Sequence, residues 1–302
     1  MNNITFALIS SVSAAFLWGV SPLLFDRIKA SSYIITLLRN SATVIFIISY
    51  ILLNNINIFI HDLNILIILI LLGVSGPALA DQIYIASMKR IGVNLSTAIS
   101  YTYVFWASII SQILSIENIT LFDVAGSLIA FLGLGIGVDM NRLSFEKRSF
   151  LKEYVIGIFL ALVSGVFCGL ATVLSKIAVT ELSFEIIIFY RSLTAIAIMI
   201  LITWILSRKS FVQEYRNLRW RDLTNIFLSG LLSFLIAYYF FLTALQDIGV
   251  VIPSIISLSS PLVTLTLYYL TRREKIEKRL VIGVSLITIG SIVSTMKYLV
   301  KI

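Results

Sequence analysis

A chain of 302 residues that is 59% hydrophobic and only 13% charged, with a mean hydropathy of +1.02, is excluded from the ordinary soluble class, where about 25% of residues carry charge. Its single cysteine, Cys168, rules out an intramolecular disulfide, and with one histidine, His61, no cluster has zinc-ligand spacing. The net charge of +8 leaves nucleic acid open as a partner until the charges are placed.

Apolar runs bounded by charged or Asn-rich breaks fall at 4–25, 32–53, 64–88, 93–114, 119–138, 155–175, 184–206, 225–245, 250–270 and 280–297, here spans 1 to 10. Each is near the ~20 residues that carry a helix across a bilayer. Isolated strands would leave backbone groups unpaired in lipid, and the runs are too continuous for a membrane barrel. The expected fold is therefore all-α, with ten transmembrane helices. Span 1 lacks a basic leader, is long for a signal core and leads into nine more spans, so it reads as a retained helix.

Span 1 carries Trp18, Ser21 and Pro22, with packing and a kink or path lining both open to them. Span 2 holds Arg39 and span 3 holds Asp81, each about eight residues from the same surface, a depth of roughly 10–12 Å. They can pair. Arg39 can instead snorkel, and Asp81 can be either a structural partner or a coupling-proton site. Span 3 also shows a stripe of Gly73, Pro77, Asp81 and Tyr84, echoed in span 8 by Gly230, Phe234, Tyr238 and Phe241. In span 4 one face is small or polar (Ser96, Ser100, Tyr103, Ala107, Ser111) and its back is Ile99, Trp106, Ile110 and Ile113. Span 9 answers with Pro253, Ser257, Ser260, Thr264 and Tyr268.

Small residues also serve close helix packing. Two equivalent stripes bearing tyrosines predict a shared path lined by Trp18, Ser21, Asp81, Tyr84, Ser100, Tyr103, Tyr238, Phe241, Ser257 and Ser260. Leu38-Arg39 matches Tyr190-Arg191 of span 7 in an internal repeat, at an offset slightly shorter than the 157 that holds for the rest of the chain. Arg191 thus occupies the place of Arg39 and is expected to point to the opposite surface. No deep acid matches it, so Gln246 or Asp247 is the expected partner. Glu117 and Glu274 end their spans at opposite surfaces, where solvation or helix capping is the default.

The loops after spans 1, 3, 5, 7 and 9 hold eighteen of the 23 basic residues, against three (Lys176, Lys297, Lys301) on the other side. By the positive-inside rule the basic loops are cytoplasmic and both termini outside. The basic excess is thus a topology signal and a lipid contact, and no nucleic-acid partner is implied.

The chain also matches itself at an offset of 157: Gly73, Ala80, Gly92, Val93, Ser100, Glu117, Gly126 and Gly133 fall on Gly230, Ala237, Gly249, Val250, Ser257, Glu274, Gly283 and Gly290. Each half, 1–150 and 151–302, holds five spans. Five is odd, so the second half enters the membrane from the opposite side, an inverted-topology pair of the kind suited to alternating access. The run Gly230 to Ala244, then Ile248-Gly249-Val250, Ser260-Pro261-Leu262, Arg273-Glu274, Gly283 and Gly290, with Phe16-Leu17-Trp18-Gly19 in span 1, resembles the EamA-type repeat of the drug/metabolite transporter superfamily over about 8–138 and 155–296. The first half departs from it in having Val104 where the second has Pro261.

The resemblance implies a ten-helix permease moving a small metabolite, amino acids among the class, as its small-molecule substrate, with the lipid bilayer as its other partner. No cofactor is implied, and no GxxxxGK[ST] loop supplies ATP drive within the chain. A small-multidrug-type exporter would want an acid inside span 1, which has none before Asp26. An intramembrane enzyme would want clustered His and acids or a deep base, yet His61 lies in a loop beside Asp62. A scaffold or receptor leaves the inverted repeat without a use.

Overall fold

The computed structural model describes residues 3–137, 148–206, 208–272 and 278–300. Among them there is no strand, and eight helices are long and apolar enough to cross a membrane: spans 1, 2, 3, 6, 7, 8, 9 and 10, with span 9 counted through a short break. Span 4 is not among them and forms two helices, Val93–Ser100 and Tyr103–Ile113, and span 5 is the 17-residue helix Leu121–Gly137. Several helices run past their apolar cores: span 3 is Leu63–Ile91, span 8 is Trp220–Ile248 and span 6 lies within Arg148–Glu181. Caps fix some starts. The Asp62 carboxylate accepts from the Asn64 amide at 2.8 Å, and Ser31 caps span 2.

In lipid no hydrophobic effect draws helices together, so close packing and polar contacts must do it. The burial pattern follows. Ser10, Ser11, Thr36, Asn40, Thr43, Ser96, Ser111, Ser192 and Ser254 are buried, whereas Leu53, Leu121, Ile113 and Trp204 are exposed. The small face expected on span 4 is buried, and its apolar back (Trp106, Ile113) is outward. This is an integral membrane protein, polar within and apolar toward lipid.

Each irregularity occurs twice, 157 residues apart. Spans 3 and 8 carry π-helical segments, Val74–Ala80 and Leu231–Ile236. Pro77 accounts for the first by removing a backbone donor; the second keeps the geometry without a proline. Spans 4 and 9 each break into two helices, Val93–Ser100 and Tyr103–Ile113 against Val251–Ser257 and Ser260–Arg272. The turns into them use Gly92 and Gly249, with φ of +80 and +79, where only glycine is unstrained.

The halves meet through glycine. A Cβ at Gly126 or Gly290 would lie within 3 Å of the other's carbonyl oxygen, and the same holds for Gly133 and Gly283. Position 126 therefore faces 290 and 133 faces 283, so spans 5 and 10 pack antiparallel, backbone on backbone. Gly73 abuts the Arg191 carbonyl as Gly230 abuts that of Arg39, which seats spans 3 and 8 on spans 7 and 2.

Candidate transport cavity

Spans 1, 2, 3, 4, 6, 7, 8 and 9 line a cavity of about 200 Å³, several times the share of one water molecule. Nine of the ten path residues expected from sequence line it: Trp18, Ser21, Asp81, Tyr84, Ser100, Tyr103, Tyr238, Phe241 and Ser260. Ser257 does not; it lies behind Tyr103, its hydroxyl bonded to the phenol.

Span 1 is held into the wall by its polar atoms. The Trp18 indole donates to the Ser233 carbonyl at 3.1 Å, and its ring meets Phe241 edge-on at 4.9 Å. The Ser21 hydroxyl donates to the Ser229 carbonyl at 3.1 Å. These two carbonyls, one before and one within the π-segment of span 8, face span 1, and the Ser233 hydroxyl meets Arg39, whose Nη2 donates to Ser233 Oγ at 2.7 Å. The other guanidinium arm, Nη1, pairs with Asp81, which also accepts from Thr36 at 2.9 Å. Phe25 and Phe234 flank the Arg39 guanidinium at 4.8 and 4.3 Å, so the arginine is anchored in the wall and does not snorkel. Tyr84 and Tyr238 are fixed by hydroxyl contacts of 2.7 Å, to Thr97 and Ser175. Ser100 Oγ has no partner.

Arg191 departs from expectation. It lines the same cavity, with its guanidinium 3.5 Å from the centroid of the Tyr238 ring. No contact of Arg191 with the expected Gln246 or Asp247 is seen among the described residues; the Gln246 carbonyl instead accepts from Lys176 at 3.1 Å, beside that of Leu245 at 2.7 Å. Span 6 also contributes a wall that the comparison of stripes passes over, Ser164, Cys168, Ala171 and Ser175. Its spacing of four, three and four is a small-residue helical face legible in the sequence.

The non-basic end is laced by charge. Glu117 accepts from the Val250 amide at 2.6 Å and from Lys297 at 2.7 Å, and Lys297 also reaches Asp123 at 3.1 Å. Glu117 thus caps a helix of the other half, where its position suggested its own. Tyr298 donates to the Ile248 carbonyl at 2.9 Å. Glu274, its counterpart by repeat, lies outside the described residues.

The fold is not unique to this chain. A solved structure described only as "Crystal structure of protein" superimposes with a TM-score of 0.78 at 17% identity, covering 96% of this chain and 98% of its own. No curated protein matches. The sequence profile of the EamA-like transporter family matches residues 5–137 and again 155–296. With nearly all of the chain matched as two repeats, the protein belongs to the EamA-like transporter family.

Proposed function

We propose that this family member is a secondary transporter that carries a small metabolite across the cell membrane by alternating access. On this reading spans 4 and 5 complete a set of ten, arranged as two inverted five-span repeats, 1–150 and 151–302. The basic loops face the cytoplasm, and both termini lie outside. The cavity residues Trp18, Ser21, Tyr84, Ser100, Tyr103, Tyr238, Phe241 and Ser260 form the substrate path, with Ser257 setting Tyr103 from behind.

The observation that carries the reading is the pairing of irregularities. Helices of a transport site are discontinuous at corresponding points of the two halves, and here both π-segments, Tyr101 at the first break and Ser260 just past the second contribute to the cavity wall. The laced non-basic end is one closed gate in such a cycle. Among the described residues Asp81 is the one acid on the wall, and we assign it any proton that couples transport.

Counterflow in liposomes, run with a panel of metabolites, tests the proposal. At least one solute is expected to exchange. Ser100→Trp and Ser257→Trp should cut that flux about tenfold or more while the protein still inserts, whereas Ile113→Trp, facing lipid at 73% exposure, should leave it intact. Equal effects at all three positions would reduce the stripes to packing faces.

A further inference from the structure

The halves place arginines at equivalent points, Arg39 and Arg191, and face them with residues 157 apart, Asp81 and Tyr238. In the first half the charges cancel. In the second, the ring of Tyr238 orients the guanidinium by cation–π attraction but removes no charge. Arg191 is only 6% exposed, lines the cavity, and leaves Nε and Nη1 without a hydrogen-bond partner. The described wall therefore holds two guanidinium groups against one carboxylate, a surplus of one positive charge. Buried donors without partners are costly, and such a cost is sensible where the partner arrives and leaves. The half-helices that start at Tyr103 and Ser260 bring positive ends to the same wall. The helices ending at Ser100 and, behind Tyr103, at Ser257 bring negative ones, so the termini offset one another and Arg191 decides the sign. Around it the surface is aromatic: Trp18, Tyr103, Phe234 and Phe241.

The geometry points to Arg191 as the substrate anchor, and to a small organic monocarboxylate with an apolar or aromatic body as the substrate. This inference rests on the transporter reading and narrows it. A carboxylate takes two parallel N–H···O bonds from a guanidinium, which here turns from the Tyr238 ring to the anion. One negative charge cancels the surplus. A zwitterion would add an ammonium group with no unpaired acid to receive it, and a cation would be repelled.

Thermal unfolding of the purified protein in detergent, with acetate, octanoate, phenylacetate and indole-3-acetate as probes, tests the anchor without requiring transport. At least one carboxylate should raise the unfolding temperature. Its neutral amide should bind about tenfold more weakly or worse, because a charge-assisted pair is lost, and phenylalanine should bind more weakly than phenylacetate. Arg191→Met should unfold no earlier than the natural protein, having lost an unpaired charge, and should show no carboxylate response. Arg191→Lys keeps the charge but not the fork, and should weaken binding about tenfold. No response to any carboxylate, equal binding of acid and amide, or undiminished binding in both arginine variants would overturn the inference. Liposome counterflow separates it from the reading beneath. Flux indifferent to Arg191 sinks the anchor alone, and Arg191-dependent binding without flux sinks the transporter alone.

Discussion

Asp81 takes the Arg39 guanidinium and the Thr36 hydroxyl at side-chain exposures of 5% for the arginine and 11% for the acid. Removing one member of such a pair leaves an uncompensated charge in a low-dielectric wall, at a typical cost of about 3–5 kcal/mol. Asp81→Asn and Arg39→Gln should each lower the unfolding temperature by that measure. The double variant should lose less than the sum, by roughly 0.5–3 kcal/mol of coupling. Additive losses in a double-mutant cycle would show that the contact carries no energy. Uptake assigns the role: restored stability with restored flux marks a structural pair, and restored stability without flux marks Asp81 as a proton or substrate contact. This pair is legible in the sequence, since both charges lie at one depth from one surface. The pairing of Arg191 is not. A search for an opposite charge passes over an aromatic ring, although the offset of 157 points from Asp81 to Tyr238.

At the scale of elements, hydropathy finds where chain lies in the membrane and is blind to how its hydrogen bonds run. Spans 4 and 9 read as continuous because the residues at the breaks, Tyr101-Thr102 and Leu258-Ser259, interrupt the hydrogen-bond ladder without interrupting the apolar run. The π-segments are invisible for the same reason, apart from the hint of Pro77. Glycine is more informative, because the repeat keeps it where backbones touch. Gly126→Ala and Gly290→Ala force a methyl against a carbonyl of the partner helix, and each should destabilise by about 1–3 kcal/mol, the usual cost of overpacking. Gly135 in the same helix has nothing within 4 Å of where a Cβ would go. Gly135→Ala should be neutral or should gain up to about 1 kcal/mol of helix propensity. Denaturation of the three variants in one detergent decides it, and similar losses in all three would deny the contact between spans 5 and 10 any special role.

For the whole molecule, counting charges by loop yields an orientation that packing alone does not provide, since a bundle of helices is indifferent to which side is called inside. With Cys168→Ser as background, a cysteine at Asn57 should react with an impermeant thiol reagent added to intact cells, and one at Ser144 only after permeabilisation. The reverse pattern would invert the protein and leave its spans unchanged. The two-part architecture is legible at this scale because an internal repeat is a statement about sequence alone. The cavity is not, because it depends on span 6, with Arg39 of span 2 and Arg191 of span 7, joining spans 1, 3, 4, 8 and 9. The lacing of Glu117 to the Val250 amide is hidden too, since it joins residues 133 apart.

The uncancelled charge of Arg191 has an electrical consequence. If the surplus of one positive charge is neutralised by a bound monoanion, the loaded carrier turns over without moving net charge and the empty carrier does not. Each elementary charge crossing the field gains or loses about 2.3 kcal/mol per 100 mV, so a negative-inside voltage holds the vacant site toward the cytoplasm. On the proposed transport cycle it would there meet internal substrate, carry it outward as a neutral pair and be drawn back unloaded. The membrane voltage would then act on the return step alone and set the direction as export; an empty carrier indifferent to voltage is incompatible with this charge count.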